Sequence, residues 1–219
     1  MDRELKIRET KEFVIKKLFG EASGHDWFHI ERVYNLAKFM AKEEGADTFI
    51  VEMAALLHDI DDWKFSKNEN LVEIFLNEIK LHKSDIEKIK SIINTMSYKG
   101  GVVDSTQYSI EGMIVQDADR LDAMGAIGIA RAFAYGGNKN RVIYHPSINP
   151  MEYKNLDEVK NKNNHTINHF YEKLLKLKDL MNTETAKKIA HERHEFMEKY
   201  LNEFFYEWNL KIDIKIEIK

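Results

Sequence analysis

Apolar residues recur along this chain at intervals of three and four. Ile30, Val33, Ala37 and Met40 mark one stripe, and Ile86, Ile89, Ile92 and Ile93 mark another. That spacing lays side chains along one face of a helix with 3.6 residues per turn. The punctuation agrees with the period. Ser84 followed by Glu87 reads as a capping box, Thr183 before Glu184 opens another helix, and Gly20, Gly45 and the Gly100–Gly101 pair stand where helices would stop. Together these signals predict about eight helices, over 3–19, 27–44, 47–60, 69–82, 84–97, 107–136, 165–181 and 183–209. Gly125 and Gly128 fall inside the sixth. Glycine costs about 1 kcal/mol there relative to alanine, so the run GAIGIA implies close packing of small residues against a neighbouring helix.

Two stretches break the helical period. Residues 138–164 are polar and asparagine-rich and hold both prolines of the chain, Pro146 and Pro150. They read as one long loop, either a lid over a site or a plain excursion. The closing stretch KIDIKIEIK alternates strictly, with Ile212, Ile214, Ile216 and Ile218 on one side and charges on the other, which is a strand pattern. A lone strand leaves its backbone unpaired, so residues 211–219 are expected to form a frayed tail beyond a single domain of residues 1–210.

Composition narrows the chemistry. With 43% hydrophobic and 32% charged residues, the chain has the make-up of a water-soluble all-α domain with one core. No apolar run approaches the roughly 20 residues a spanning helix needs. The opening MDRELKIRETKEF is too charged for a secretory signal, so a cytoplasmic location is expected and no membrane partner. The absence of cysteine removes disulfides, thiolate zinc sites and cysteine nucleophiles, so any metal must be held by imidazole and carboxylate. A formal charge of −4 lacks the basic excess of a nucleic-acid binder and points to a small anionic ligand rather than a long nucleic acid. Neither a phosphate-loop signature nor a GxGxxG fingerprint occurs.

The densest chemistry lies in ALLHDIDDWKF, where an apolar helix ends on His58 and Asp59 and then presents Asp61 and Asp62. Such a concentration of ionisable groups beside a buried helix is unfavourable unless something binds it. His29, in GHDWFHIERV, belongs to the preceding helix and has Arg32 one turn later on the same face, while Asp119 stands in QDADRLDAMGA. Two imidazoles and two carboxylates form a mixed nitrogen and oxygen donor set suited to Mn²⁺, Fe²⁺, Co²⁺ or Mg²⁺, with coordination positions left for water and substrate. Asp117 competes with Asp119. A separation of two residues puts them nearly opposite each other on a helix, so only one can face the metal.

These motifs, in this order, resemble the HD-domain phosphohydrolases, whose ligands run from a first histidine through a His-Asp doublet to a distant aspartate. GHDWFHIERV, LLHDIDDWKF, DADRLDAMGAIGIAR and HFYEKLLKLKDLMNTETAK are similar to the bacterial single-domain branch that includes nucleotide pyrophosphohydrolases, over about residues 20–210. The resemblance implies an all-α HD-domain fold and hydrolysis of a phosphate ester or anhydride at a metal held by His29, His58, Asp59 and Asp119. Asp119 is preferred to Asp117 because the family's aspartate stands in an Ala-Asp-Arg context, and Asp122 lies on the same helical face as a supporting residue. Only His82 falls between the doublet and the last aspartate, which implies one divalent ion, Mn²⁺ favoured over Co²⁺, Fe²⁺, Mg²⁺ or Ni²⁺. Asp62 is implied as the group that orients water or protonates the leaving group, with Asp61 as the fallback. Arg32 and Lys64 are the expected substrate-binding cations. His165 with His169 and His191 with His194 read as hydrogen-bonding or surface residues, and HERHE lacks the HExxH spacing. The leading expectation is conversion of a nucleoside triphosphate to monophosphate and pyrophosphate. The alternatives are a 5′-nucleotidase or phosphodiesterase on the same site, or a non-catalytic nucleotide-binding regulatory module, and a homodimer is compatible with any of them.

Overall fold

A computed structural model of the chain describes residues 2–19, 26–61, 70–96, 104–152 and 164–209. Gly20, Asp62, Lys64, the Gly100–Gly101 pair and the tail at 211–219 lie outside the described residues. Among those described, nine α-helices follow one another: α1 (Arg3–Lys17), α2 (Trp27–Glu43), α3 (Thr48–Leu57), α4 (Leu71–Glu78), α5 (Lys83–Asn94), α6 (Ile110–Asp122), α7 (Gly125–Asn138), α8 (Thr166–Glu172) and α9 (Glu184–Trp208). A 3₁₀ segment, Leu174–Leu180, joins α8 to α9.

The core is built around α3. Every residue from Phe49 to Leu57 is buried, and α3 packs against α1, α2, α5 and α6. A helix apolar on all sides must be enclosed. Its one charged residue, Glu52, is answered by the Tyr34 hydroxyl at 2.7 Å and the Lys38 ammonium at 2.6 Å. The amphipathic helices lay single apolar faces on this centre: Ile30, Val33, Ala37 and Met40 from α2, and Ile86, Ile89 and Ile92 from α5.

Local signals set the helix ends. Side chains of Asp2, Asp26, Asp47, Ser109 and Thr183 each accept a bond from a backbone amide in the first turn of α1, α2, α3, α6 and α9 respectively. Each cap satisfies one of the donors a helix start leaves unpaired. Gly45 closes α2 in the left-handed region at φ +69°, with the Ala46 amide bonded to Ala41 O at 3.0 Å. The expected capping box is not used: α5 begins at Lys83 with His82 as its N-cap residue, which places Ser84 inside the first turn.

Two expected helices are divided. The span 107–136 becomes α6 and α7, because Gly125 takes φ +67°, a conformation that costs other residues about 1–2 kcal/mol. A Cβ on Gly128 would stand 2.2 Å from Ala123 O, so the second glycine lets α7 start directly over the end of α6. The span 165–181 becomes α8 plus the 3₁₀ segment. There Leu174 and Leu177 are buried and Leu180 packs on the core, an interval of three that suits a helix with three residues per turn.

The part of the long loop that is described is held in place. The amides of Thr166 and Ile167 bond to Val142 O and Ile143 O at 3.1 Å each. The Tyr144 ring lies 5.0 Å from that of His165 and 4.9 Å from that of Trp208. No described helix is long and apolar enough to cross a membrane.

Candidate metal centre

Three helices converge on one group of side chains. Asp26 caps α2 through the His29 amide at 2.9 Å, which fixes His29 in the first turn with its ring 1% exposed. His58 ends α3, and its Nδ1 lies 2.8 Å from Ala55 O. A carbonyl only accepts, so Nδ1 carries the proton and Nε2 presents a lone pair. That Nε2 is buried and has no hydrogen-bond partner. Asp119, on the solvent side of α6, completes the set: donor atoms of His29, His58 and Asp119 all lie within 4.8 Å of one another.

The distances suit a cation. Asp119 Oδ1 is 3.5 Å from His29 Nε2 and 3.8 Å from His58 Nε2. Asp59 stands between the rings, with Oδ2 3.5 Å from His29 Nε2 and Oδ1 3.6 Å from His58 Nε2. Donors bound to one ion at about 2.1 Å are separated by roughly 3.0 Å when adjacent and 4.2 Å when opposite. The four separations fall between these limits. An unpartnered buried imidazole nitrogen facing two carboxylates fits a divalent ion with nitrogen and oxygen ligands.

A buried carboxylate supports the group. Asp122 Oδ2 accepts from His29 Nδ1 at 2.7 Å, from Arg32 Nη2 at 3.0 Å and from Arg131 Nη1 at 2.5 Å, and Oδ1 accepts from Arg32 Nε at 2.7 Å. Burial pushes the Asp122 carboxyl up, but the bonds from His29 and Arg32 outweigh it and hold the group well below the usual carboxylate range. Burial likewise opposes a charge on His29, yet its bonds to Asp122 and Asp59 raise the ring to about 9. Without a metal, His29 therefore keeps a proton among the three aspartates.

The residues expected to act at the site divide clearly. Asp119 faces the two imidazoles, whereas Asp117 is fully buried on the other side of α6 and accepts from the amides of Asn182 and Thr183 at 2.9 and 2.8 Å. Asp61 accepts from the amides of Leu71 and Val72 at 2.9 and 3.2 Å, so its carboxylate holds the start of α4. Arg32 lies one turn after His29 on α2, and two of its nitrogens are engaged by Asp122. Asp62 and Lys64 are outside the described residues. His165 caps α8, accepting from the Asn168 amide through Nδ1 and donating to Ile148 O through Nε2. His191 and His194 pair with Glu195 and Glu198 along α9. Arg131 was missed by sequence reasoning. The available signal was that it is the only charged residue in GAIGIARAFAYGGN, and a lone charge on a small, apolar helix needs a partner.

Comparison with known proteins gives a consistent answer. The model of the HD domain family matches residues 27–124, the span from the start of α2 to just past α6. The protein YpgQ of Bacillus subtilis (strain 168) is 39% identical over 210 residues, 92% of this chain and 93% of that protein. Its crystal structure in complex with ADP superposes with a TM-score of 0.72, covering 90% of this chain and 95% of that one. An HD-superfamily hydrolase from Bacillus thuringiensis is 45% identical with a TM-score of 0.76, covering 94% and 98%. A Lactobacillus plantarum protein is 40% identical with a TM-score of 0.87, covering 96% and 100%. Family match, chain-length identity and shared architecture together make this chain a member of the HD-domain superfamily of metal-dependent phosphohydrolases.

Proposed function

We propose that the chain hydrolyses a nucleoside triphosphate to the monophosphate and pyrophosphate at one divalent ion, with Mn²⁺ favoured, held by His29, His58, Asp59 and Asp119. The observation that carries this reading is the unpartnered, buried Nε2 of His58 facing Asp59 and Asp119. The nucleotide substrate is supported by the ADP bound in the crystal structure of YpgQ, which shares 39% identity with this chain. A divalent ion in this set supplies Lewis-acid chemistry, activating water and neutralising charge on a phosphoryl oxygen.

The chain's own residues supply the rest. Asp122 and the Ala55 carbonyl hold the rings of His29 and His58 through their Nδ1 atoms, so that both Nε2 atoms face the same space. Asp62 is the candidate for moving the proton, since it follows the doublet by three residues, and it would orient water or protonate the departing phosphate oxygen. Asp61 gives way to Asp62 in this role because both of its oxygens hold amides of α4. Arg32 and Lys64 are the proposed cations for phosphate oxygens away from the metal. Binding the β- and γ-phosphates there would put the α-phosphorus at the metal and make pyrophosphate the leaving group.

The test is product identification by chromatography across nucleoside triphosphates, nucleoside monophosphates and cyclic or dinucleotides, with Mn²⁺, Co²⁺, Mg²⁺ and Ni²⁺. Monophosphate and pyrophosphate from a triphosphate are expected. Orthophosphate as the first product from a triphosphate would refute the proposed bond. A nucleoside released from a monophosphate would make the protein a 5′-nucleotidase, and turnover of cyclic or dinucleotides alone a phosphodiesterase. Metal-dependent nucleotide binding without turnover would make it a regulatory module.

A further inference from the structure

Asp122 holds the ring of His29, yet it is the last residue of α6. A helix ends on the negative pole of its dipole, where a carboxylate is unfavourable. The turn that carries Asp122 closes on the carbonyl of Leu121, which accepts from the Met124 amide at 3.0 Å. The same oxygen accepts from Nη1 of Arg193, which lies on α9, 72 residues further along the chain. Leu121 O thus takes one donor from its own helix end and one from the last helix, and the next residue is Asp122. Burial lowers the half-buried Arg193 guanidinium from its usual value, and the charge of Asp122 opposes that shift. The route of Arg193 depends on Gly125. A Cβ there would meet Cγ and Cβ of Arg193 at 3.1 and 3.3 Å, tighter than ordinary van der Waals contact. The glycine that turns the chain between α6 and α7 therefore also leaves room for the arginine stem to reach Leu121. The HD family match ends at residue 124, so this contact comes from a helix beyond it.

We propose that Arg193 is a positioning residue for the metal centre: from α9 it pins the carbonyl end of α6 and so sets the Asp122 carboxylate against Nδ1 of His29. Two physical effects act together. A charge-assisted bond to Leu121 O fixes the peptide between Leu121 and Asp122. Rotation of that peptide would swing the Asp122 side chain away from the imidazole it meets at 2.7 Å. A cation at the C-terminal end of a helix also offsets the dipole that disfavours a carboxylate there. Asp122 in turn fixes the plane of the His29 ring and keeps the Nε2 lone pair on the side of His58 and Asp119. The inference rests on the ligand set given under Proposed function and is independent of which phosphate bond is cut.

Mn²⁺ affinity, measured by calorimetry on the metal-stripped full chain, reads the arrangement of the ligands without turnover. Arg193→Met keeps most of the stem and drops the cation. It is expected to weaken Mn²⁺ binding about tenfold, the lower end of what losing an outer partner of a metal site costs. Arg193→Lys restores a cation and an N–H donor and is expected to bring the affinity back to within about threefold of wild type, the shortfall reflecting the loss of the planar fork. Asp117→Ala serves as the comparison for stability alone. It removes a different contact between α6 and the start of α9, and its Mn²⁺ affinity is expected to match wild type. Wild-type affinity in Arg193→Met overturns the positioning role, as does an equal loss in Asp117→Ala, which would mark a general effect of stability. Arg193→Lys as weak as Arg193→Met also overturns it, because the cation would then not be what acts. If Arg193→Met does not fold, Arg193→Gln takes its place, keeping a donor for Leu121 O and dropping the charge. A loss of about threefold is expected, the scale of one charge at a helix end, and wild-type affinity overturns the proposal. Failure of the wild type to bind any divalent ion would overturn the ligand set and this proposal with it, whereas the variant results leave the ligand set standing.

Discussion

Asp117 and Asp119 lie two residues apart on α6, and replacing each with alanine should have opposite consequences. The carboxylate of Asp117 is fully buried and accepts from both the amide and the side chain of Asn182, and from both the amide and the hydroxyl of Thr183. Asp117→Ala strands the amides of Asn182 and Thr183 where α9 begins. A buried donor left unpaired costs about 1–3 kcal/mol, so the loss should be about 2–5 kcal/mol, equivalent to a fall in Tm of roughly 5–15 °C for a chain of this size. Asp119 has a side chain 38% exposed, and among the described residues it pairs with the imidazoles of His29 and His58. Asp119→Ala should therefore leave the stability of the metal-free protein within about 0.5 kcal/mol while removing metal binding. The assays are thermal unfolding in a chelator and metal content after dialysis against Mn²⁺. An Asp117→Ala protein that loses its metal, beside an Asp119→Ala protein that keeps it, would refute the assignment of ligands on α6.

Other expectations follow from the same geometry. Gly128→Ala would bring a methyl group to 2.2 Å from Ala123 O, a backbone atom that cannot swing aside. It should destabilise the fold by about 1–3 kcal/mol, the usual cost of overpacking, measured by urea unfolding. Metal uptake should depend on pH because His29, raised to about 9 by Asp122 and Asp59 against the effect of burial, must lose its proton to bind. Between pH 6 and 8, Mn²⁺ affinity should rise about tenfold per unit, with roughly one proton released per ion. Calorimetry in buffers of different ionisation heat reads that proton, and a pH-independent affinity would contradict it. In the metal-free protein the sign of the stability effect is opposite. His29 contributes stability that is complete below its unfolded value of about 6.5 and is lost as pH rises through about 9. Asp62→Asn should keep Mn²⁺ affinity and lower kcat by about 10²-fold, the scale of a lost general acid or base. Wild-type turnover in that variant would remove Asp62 from the reaction.

Much of this architecture was legible in the sequence because each signal was local. Thr183 announced a helix start, Gly45 announced a helix end, and the stripes of α2 and α5 announced which face is buried, whereas the caps Asp26 and Asp47 emerged only with the fold. The site was legible for a different reason. His29 and the His58–Asp59 doublet are polar residues on helices that are otherwise buried and apolar there, and their order with Asp119 carries the family resemblance. What was not legible depended on chain direction. The apolar period runs without interruption through GAIGIA, so nothing in the pattern marks the break that the positive φ of Gly125 introduces. Arg131 reaches Asp122 only because of that break, and the pairing was therefore invisible. The choice between Asp117 and Asp119 likewise depended on what lay across from each. Asn182 and Thr183, 65 and 66 residues further on, account for Asp117. Asp61 stood as the fallback for Asp62, and only the fold shows it holding the first turn of α4.

The most direct test of the metal centre is anomalous diffraction from crystals of the Mn²⁺-loaded protein, recorded on both sides of the manganese edge. The account predicts one anomalous peak, bonded to Nε2 of His29, Nε2 of His58 and carboxylate oxygens of Asp59 and Asp119. Asp122 should remain on His29 Nδ1, and Asp117 should remain on the amides of Asn182 and Thr183. A peak lying elsewhere, or one coordinated by Asp117 in place of Asp119, would contradict it.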